Sequence, residues 1–304
     1  MPQGSKKLED DPNTWRELSG KAAFVSHQLI GWIYWDPEAI ANYAALGVPD
    51  GFGYYIATRG SSLGAAGNSA VTAAFYSISP KYVEGCLDLC REHTTFEKTA
   101  AARDQAVASG LEKFSPEICE PLAALEPQLW KAAESLPVAG RVLFSSLIDW
   151  PRNENQLVSA WLAVNAIREW RGDTHWAIQI SEELDESMVG VLDGAWRGYE
   201  DDWLPRSRGA DDAALKKAYE KLEQRGLAKD HNVTEAGLSY RQELEDKLDD
   251  LSAAAWKTFG LKETAQFIEL IQPVGSRYVE RIDQTAGPLW MPAARDNRFN
   301  DRQV

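Results

Sequence analysis

Cysteine is scarce in this 304-residue chain. Three residues, an odd number, give no disulfide framework, and none of them forms a Cys-x-x-Cys pair of the kind that marks redox or zinc sites. Long apolar runs are missing as well: no stretch reaches the ~18 apolar residues of a membrane span. The opening MPQGSKKLEDD lacks the apolar segment of a secretory signal. These absences lead us to expect a cytoplasmic protein with no membrane partner. Basic charge is also in deficit. Lys and Arg number 32 against 46 Asp and Glu, a net charge of −14, so binding to nucleic acid would require a local basic patch. His-Glu-x-x-His, Gly-x-Ser-x-Gly and the Gly-Lys-Ser/Thr of a P-loop do not occur.

Hydrophobic residues (44%) and charged residues (26%) stand in the proportion of a folded globular chain. Asp36-Pro37-Glu38, Ser79-Pro80 and Ser115-Pro116-Glu117 are helix starts, with a capping side chain before a proline suited to the first turn. Residues 97–113 and 117–136 read as helices, and Arg141–Phe144 as a short strand-like run. After a break at Pro151–Asn155 a helix is predicted over 156–171, ended or bent at Gly172, with a second helical stretch from Thr174. Trp203–Pro205 with Gly209 reads as a loop. Helices follow over about 212–225, 235–257 and 262–281, the last kinked at Pro273. The expected organisation is a disordered tail (1–13), an N-terminal helical domain (14–150), a winged-helix domain with C-terminal helices (151–284) and a tail (285–304). The fold class is mainly α, with one short two-stranded wing.

Residues 211–251 carry the most specific pattern. A helix ends at Arg225-Gly226-Leu227, a polar piece spans Ala228–Asn232, and Val233-Thr234-Glu235-Ala236-Gly237-Leu238 leads into a long helix. Gly226 permits the left-handed turn that ends the first helix, and Thr234 caps the next. This order resembles the MarR-like winged helix. The segment nevertheless holds eleven acidic residues against seven basic, a net charge of −4. Charge therefore disfavours DNA as its partner.

Further motifs extend the resemblance. His27 precedes Tyr34-Trp35-Asp36-Pro37-Glu38; Thr58–Gly64 reads TRGSSLG; Phe75–Pro80 reads FYSISP; Arg168–His175 reads REWRGDTH. Over about residues 24–282 the chain resembles a family of actinobacterial helix-turn-helix proteins of this length. Thr174 departs from the glycine usual there, so the turn is less tight. The resemblance implies a helical N-terminal domain plus a MarR-like winged helix, and it implies no activity.

Candidate site residues come from the same segments. Leu157, Trp161, Val164, Arg168 and Arg171 are spaced 4, 3, 4, 3 and share one helix face, with His175 four further on. An apolar face that runs into two arginines either pairs them with Asp173 or a distant carboxylate, or forms an anion site shared with His175. We expect Arg168, Arg171 and His175 at the bottom of a crevice between the two domains. Arg59, Tyr55 and Tyr76 are further ligand-binding candidates. His27, His175 and Asp173 are candidates for acid–base chemistry, although a lone His27 among apolar residues reads equally as a core histidine. The loop Gly60–Gly67 lacks both dinucleotide and P-loop spacing. Cys86, Cys90 and His93 lie on one predicted helix without a fourth ligand, so no metal and no cofactor are expected. The twelve Trp serve as core filler or line an aromatic pocket. The leading reading is a small-molecule-binding winged-helix protein, whose ligand is apolar or aromatic with an anionic group. The alternative is an enzyme on the same scaffold, with a histidine base and arginine anchors. The oligomeric state is left open.

Overall fold

The computed structural model describes residues 11–295. The described chain is mainly helical: α1 (Pro12–Gly31), α2 (Pro37–Ala44), α3 (Tyr54–Arg59), α4 (Asn68–Ala74), α5 (Pro80–His93), α6 (Phe96–Phe114), α7 (Pro116–Ala124), α8 (Glu126–Glu134), α9 (Val142–Ile148), α10 (Gln156–Ser181), α11 (Glu186–Trp196), α12 (Trp203–Ser207), α13 (Asp212–Gln224), α14 (Glu235–Phe259), α15 (Leu261–Ile271) and α16 (Gly275–Thr285). Between α13 and α14 lies a hairpin of β1 (Ala228–Lys229) and β2 (Asn232–Val233), paired antiparallel with Ala228 opposite Val233. Residues 1–10 of the expected N-terminal tail and 296–304 of the C-terminal one lie outside the described residues.

Side-chain caps set many of the helix starts. Asp36 accepts the Ala39 N–H at 3.0 Å, Asn155 that of Leu157 at 3.0 Å, Asp211 that of Ala214 at 2.8 Å and Thr234 that of Gly237 at 3.2 Å. Gly226 takes the expected left-handed conformation (φ 71°). The hairpin turn places Asp230 and His231 at φ 50° and 59°. Two left-handed residues give the turn whose twist matches a tight antiparallel pair. Pro273 breaks the last helical stretch as expected: a single 3-10 turn over Gln272–Val274 separates α15 from α16.

Several expectations need correction. Trp203–Pro205 is not a loop but the start of the short helix α12, and the Ser79 and Ser115 side chains stand before α5 and α7 without capping them. Arg141–Phe144 is not a strand but the start of α9, which buries Leu143, Phe144 and Leu147. Its first turn has no capping residue, and Asp173 takes that role from α10 by accepting the Phe144 N–H at 2.9 Å. A four-residue apolar run did not carry enough period to distinguish the two. Gly172 neither ends nor bends a helix; α10 continues to Ser181. Burial around Gly172 outweighs the ~1 kcal/mol helix penalty of glycine. The stretch 117–136 is two helices parted at Leu125, before Pro127.

The buried apolar residues fall into two cores. The larger joins α1–α10 with the end of α14, α15 and α16 and contains Trp32, Trp161, Trp256 and Tyr278. The smaller is built from Ile178, Met188, Leu192, Leu215, Leu222, Leu244 and their neighbours. Two helices pass through both. α10 contributes Leu157–Trp170 to the larger core and Ile178 to the smaller; α14 gives Leu244 and Leu248 to the smaller and Ala253–Phe259 to the larger. Where they cross the seam, each turns charged residues inward: Arg168, Glu169 and Arg171 on α10, and Arg241, Glu245 and Asp249 on α14.

Candidate functional site

A cavity of about 670 Å³ opens on this seam. Its floor is an ion-pair ladder. Arg59, the last residue of α3, donates to Glu169 through both Nε (2.8 Å) and Nη2 (2.7 Å), and through Nη1 to the Tyr55 hydroxyl (2.8 Å). Arg168 Nη1 donates to the same Glu169 at 2.6 Å, while its Nε donates to His27 Nδ1 at 3.1 Å. Arg171 Nη2 lies 2.7 Å from both Glu245 and Asp249. Arg241 bridges Glu245 (2.7 Å) and Asp193 (2.8 Å), and Arg197 adds a second contact to Asp193 at 3.1 Å.

These neighbours set the protonation states. Burial alone would push the Glu169 carboxyl up, but Arg59 and Arg168 outweigh it and hold it below the usual carboxylate range. Asp193 is likewise held down by Arg197 and Arg241 against its burial. Burial, reinforced by Arg168 and Arg171, drives His27 well below the usual imidazole range. His175 falls to about 3, again chiefly from burial, with Arg241 adding to it. Both imidazoles are therefore neutral, and the Nδ1 lone pair of His27 is already taken by Arg168. Asp173 is raised to about 6 by burial.

The walls are aromatic. Trp35 stacks on Tyr55 (5.6 Å between centroids) and meets Trp290 at 4.8 Å; Trp203 packs edge-on against Trp290 at 5.5 Å. Trp290 belongs to a strap, residues 287–295, that returns over α1 and closes one side. The Leu289, Pro292 and Ala294 carbonyls accept from Tyr199 (2.8 Å), Arg197 (3.4 Å) and Gln28 (3.1 Å). The Met291 side chain lies on α1 at Gly31, where a Cβ would stand 2.4 Å from Cε. Ten of the twelve Trp divide between two places: Trp15, Trp32, Trp130, Trp161, Trp170 and Trp256 fill the core, whereas Trp35, Trp176, Trp203 and Trp290 line the cavity.

Of the residues singled out in the sequence, the fold gathers His27, Tyr55, Arg59, Arg168, Arg171 and His175 around this cavity. It does not bring Tyr76 or Asp173 to the lining. Tyr76 sits behind the wall, stacked on Trp176 at 5.2 Å with its hydroxyl on the Leu184 carbonyl, and Asp173 faces α9. The carboxylates that pair Arg168 and Arg171 are Glu169, Glu245 and Asp249 rather than Asp173. Glu169 could have been found in the sequence, since it lies between Arg168 and a second arginine two residues on. Arg241, Glu245 and Asp249, spaced by four on a predicted helix, carried a comparable signal. Cys86 and Cys90 are buried in α5, and no group of three metal-binding side chains occurs among the described residues. No described helix is long and apolar enough to cross a membrane.

The chain matches no curated protein and no solved structure. A family model does match residues 20–285, which takes in both cores and the seam. The chain belongs to that helix-turn-helix family.

Proposed function

We propose that this is a ligand-responsive helix-turn-helix protein of the cytoplasm, in which a small apolar or aromatic compound bearing an anionic group binds in the seam cavity. The observation that carries this reading is the cavity itself. At about 670 Å³ it lies within the range of small-molecule sites, it falls between two structural units, and it combines aromatic walls with a few fixed polar groups. The smaller core, with α11–α14 and the hairpin as its wing, is read as a MarR-like winged-helix domain. Helix α13 would be its recognition helix and the larger core its partner domain. Membership of a helix-turn-helix family supports DNA as a second partner. Against tight binding, Lys221 pairs with Asp185 at 2.6 Å and Arg225 donates to the Glu182 carbonyl and the Tyr240 hydroxyl. An enzymatic role is less well supported, because both cavity histidines are held neutral and His175, at about 3, is too weak a base for efficient proton transfer near neutrality.

The test is a titration of the full chain with a panel of neutral and anionic aromatic compounds, followed by quenching of tryptophan fluorescence and by native mass spectrometry. Saturable one-to-one binding to at least one compound is expected, weakened by Trp35→Ala. Absence of binding across the panel would overturn the reading.

A further inference from the structure

We infer that the cavity selects anions and that Arg208, just after α12, receives the negative charge of the ligand. The inference rests on the ligand-binding reading above and names the chemistry of its ligand: a planar aromatic acid.

Two observations carry it. The first is the gathering of arginines on the seam. Among the described residues seven guanidinium groups are gathered there, on Arg59, Arg168, Arg171, Arg197, Arg206, Arg208 and Arg241. The carboxylates that pair with them include Glu169, Asp193, Glu245 and Asp249 and, at the rim, Asp212 on Arg206. Arginine is therefore concentrated on the seam, in a protein whose net charge is −14. Buried cations accumulate against the overall charge of a protein only where something offsets them.

The second observation singles out one of them. Arg59, Arg168, Arg171, Arg197 and Arg241 each bond to a carboxylate. Among the described residues the guanidinium of Arg208, which also lines the cavity, has no hydrogen bond and no ion pair. Its burial lowers its pKa, with Asp193 and Tyr55 offsetting this only in part. Nη1 of Arg171, another lining residue, is a buried donor with no acceptor. An incoming carboxylate satisfies an arginine fork through two N–H···O bonds, while the aromatic body of the same molecule meets the indole walls.

The position of Arg208 also links the site to the helix-turn-helix unit. Its backbone carbonyl accepts the Ser79 N–H at 2.9 Å, directly before α5. At the next residue, Gly209, a Cβ would stand 2.6 Å from Ser79 Cβ. The connector that leads into α13 is therefore pinned to the larger unit beside the residue that takes the ligand's charge.

The experiment compares 1-naphthoate with its neutral counterpart 1-naphthamide on the full chain, by calorimetry and tryptophan quenching. Naphthoate is expected to bind at least about tenfold more tightly, the increment of one charge-assisted contact. Arg208→Gln should abolish that preference, weakening naphthoate far more than naphthamide; Arg208→Lys should retain part of it. Because the guanidinium lacks a partner, Arg208→Gln should melt no lower than the wild type in the absence of ligand. Equal binding of the two probes by the wild type, a preference that survives Arg208→Gln, or a large drop in melting temperature would each overturn the inference. If naphthamide binds and naphthoate gains nothing, the cavity reading stands and anion selectivity falls. If neither probe binds, both fall.

Discussion

Glu169→Gln is the sharpest probe of the seam. The carboxylate is 1% exposed and neutralises two guanidinium groups, Arg59 at 2.7 Å and Arg168 at 2.6 Å. Glutamine keeps the shape and one acceptor oxygen but turns an amide N–H₂ toward a cation. Both arginines stay buried, with one amide oxygen, the Tyr55 hydroxyl and His27 left to accept from them and no negative charge between them. Breaking a buried ion pair in this one-sided way costs about 3–5 kcal/mol, which in a chain of this size corresponds to a fall of roughly 6–10 °C in melting temperature. Arg59→Met in the Glu169→Gln background should recover part of the loss, since it removes one of the stranded cations. The sign with pH follows from the depressed carboxyl. Its stabilisation is fully present above the unfolded carboxylate value of about 4.3 and is lost as pH falls through the lower folded value. The gap between wild type and variant, followed by circular dichroism, should therefore be widest near neutrality and close in acid. A neutral-pH difference under about 1 kcal/mol, or a gap that does not shrink in acid, would refute this account of the ladder.

Three further outcomes are expected. His27 and His175 should keep the nitrogen chemical shifts of neutral imidazole at about pH 5; because their folded values lie below the unfolded ~6.5, stability should decline as pH falls from about 6.5 toward 3, and an imidazolium signal from either ring at pH 5 would contradict the burial argument. Random duplex DNA at moderate salt should give no mobility shift, given the acidic α13–α14 segment and the internal pairing of Lys221 and Arg225; a tight complex with a steep salt slope would sink that expectation. Trp290→Ala should weaken binding of an aromatic probe while lowering stability by only about 1–2 kcal/mol, as fits a half-buried side chain on a strap rather than a core tryptophan; unchanged probe affinity would remove the strap from the site.

Local chemistry made much of the fold legible. Asp36-Pro37, Gly226 and Thr234 act on their immediate neighbours, and the helix boundaries they imply are found within a few residues. Legibility failed where the deciding partner is distant. Arg141–Phe144 became helical because its apolar residues pack on α10 and because Asp173, 29 residues on, satisfies its first turn. The pairing of Arg59 with Glu169 spans 110 positions and that of Arg171 with Glu245 spans 74, so neither partner can be assigned from spacing. Arg208 is the extreme case. In the sequence it is one arginine in a loop, and what distinguishes it is the lack of a partner, which only the folded arrangement reveals.

The one long-range feature that the sequence did carry was the face Leu157, Trp161, Val164, Arg168, Arg171. An apolar stripe that turns cationic within a single helix cannot continue into the same core, because a buried guanidinium requires an anion beside it. The stripe therefore marks the point where α10 leaves the larger core. α14 repeats the pattern in reverse: Leu244 and Leu248 pack in the smaller core, Ala253 to Phe259 in the larger, and Arg241, Glu245 and Asp249 face α10 where the two helices run between cores. Two helices crossing one seam must either fill it with apolar side chains or satisfy charge within it. Here they satisfy charge within it, and that choice leaves a cavity walled by aromatics beside the ion-pair ladder.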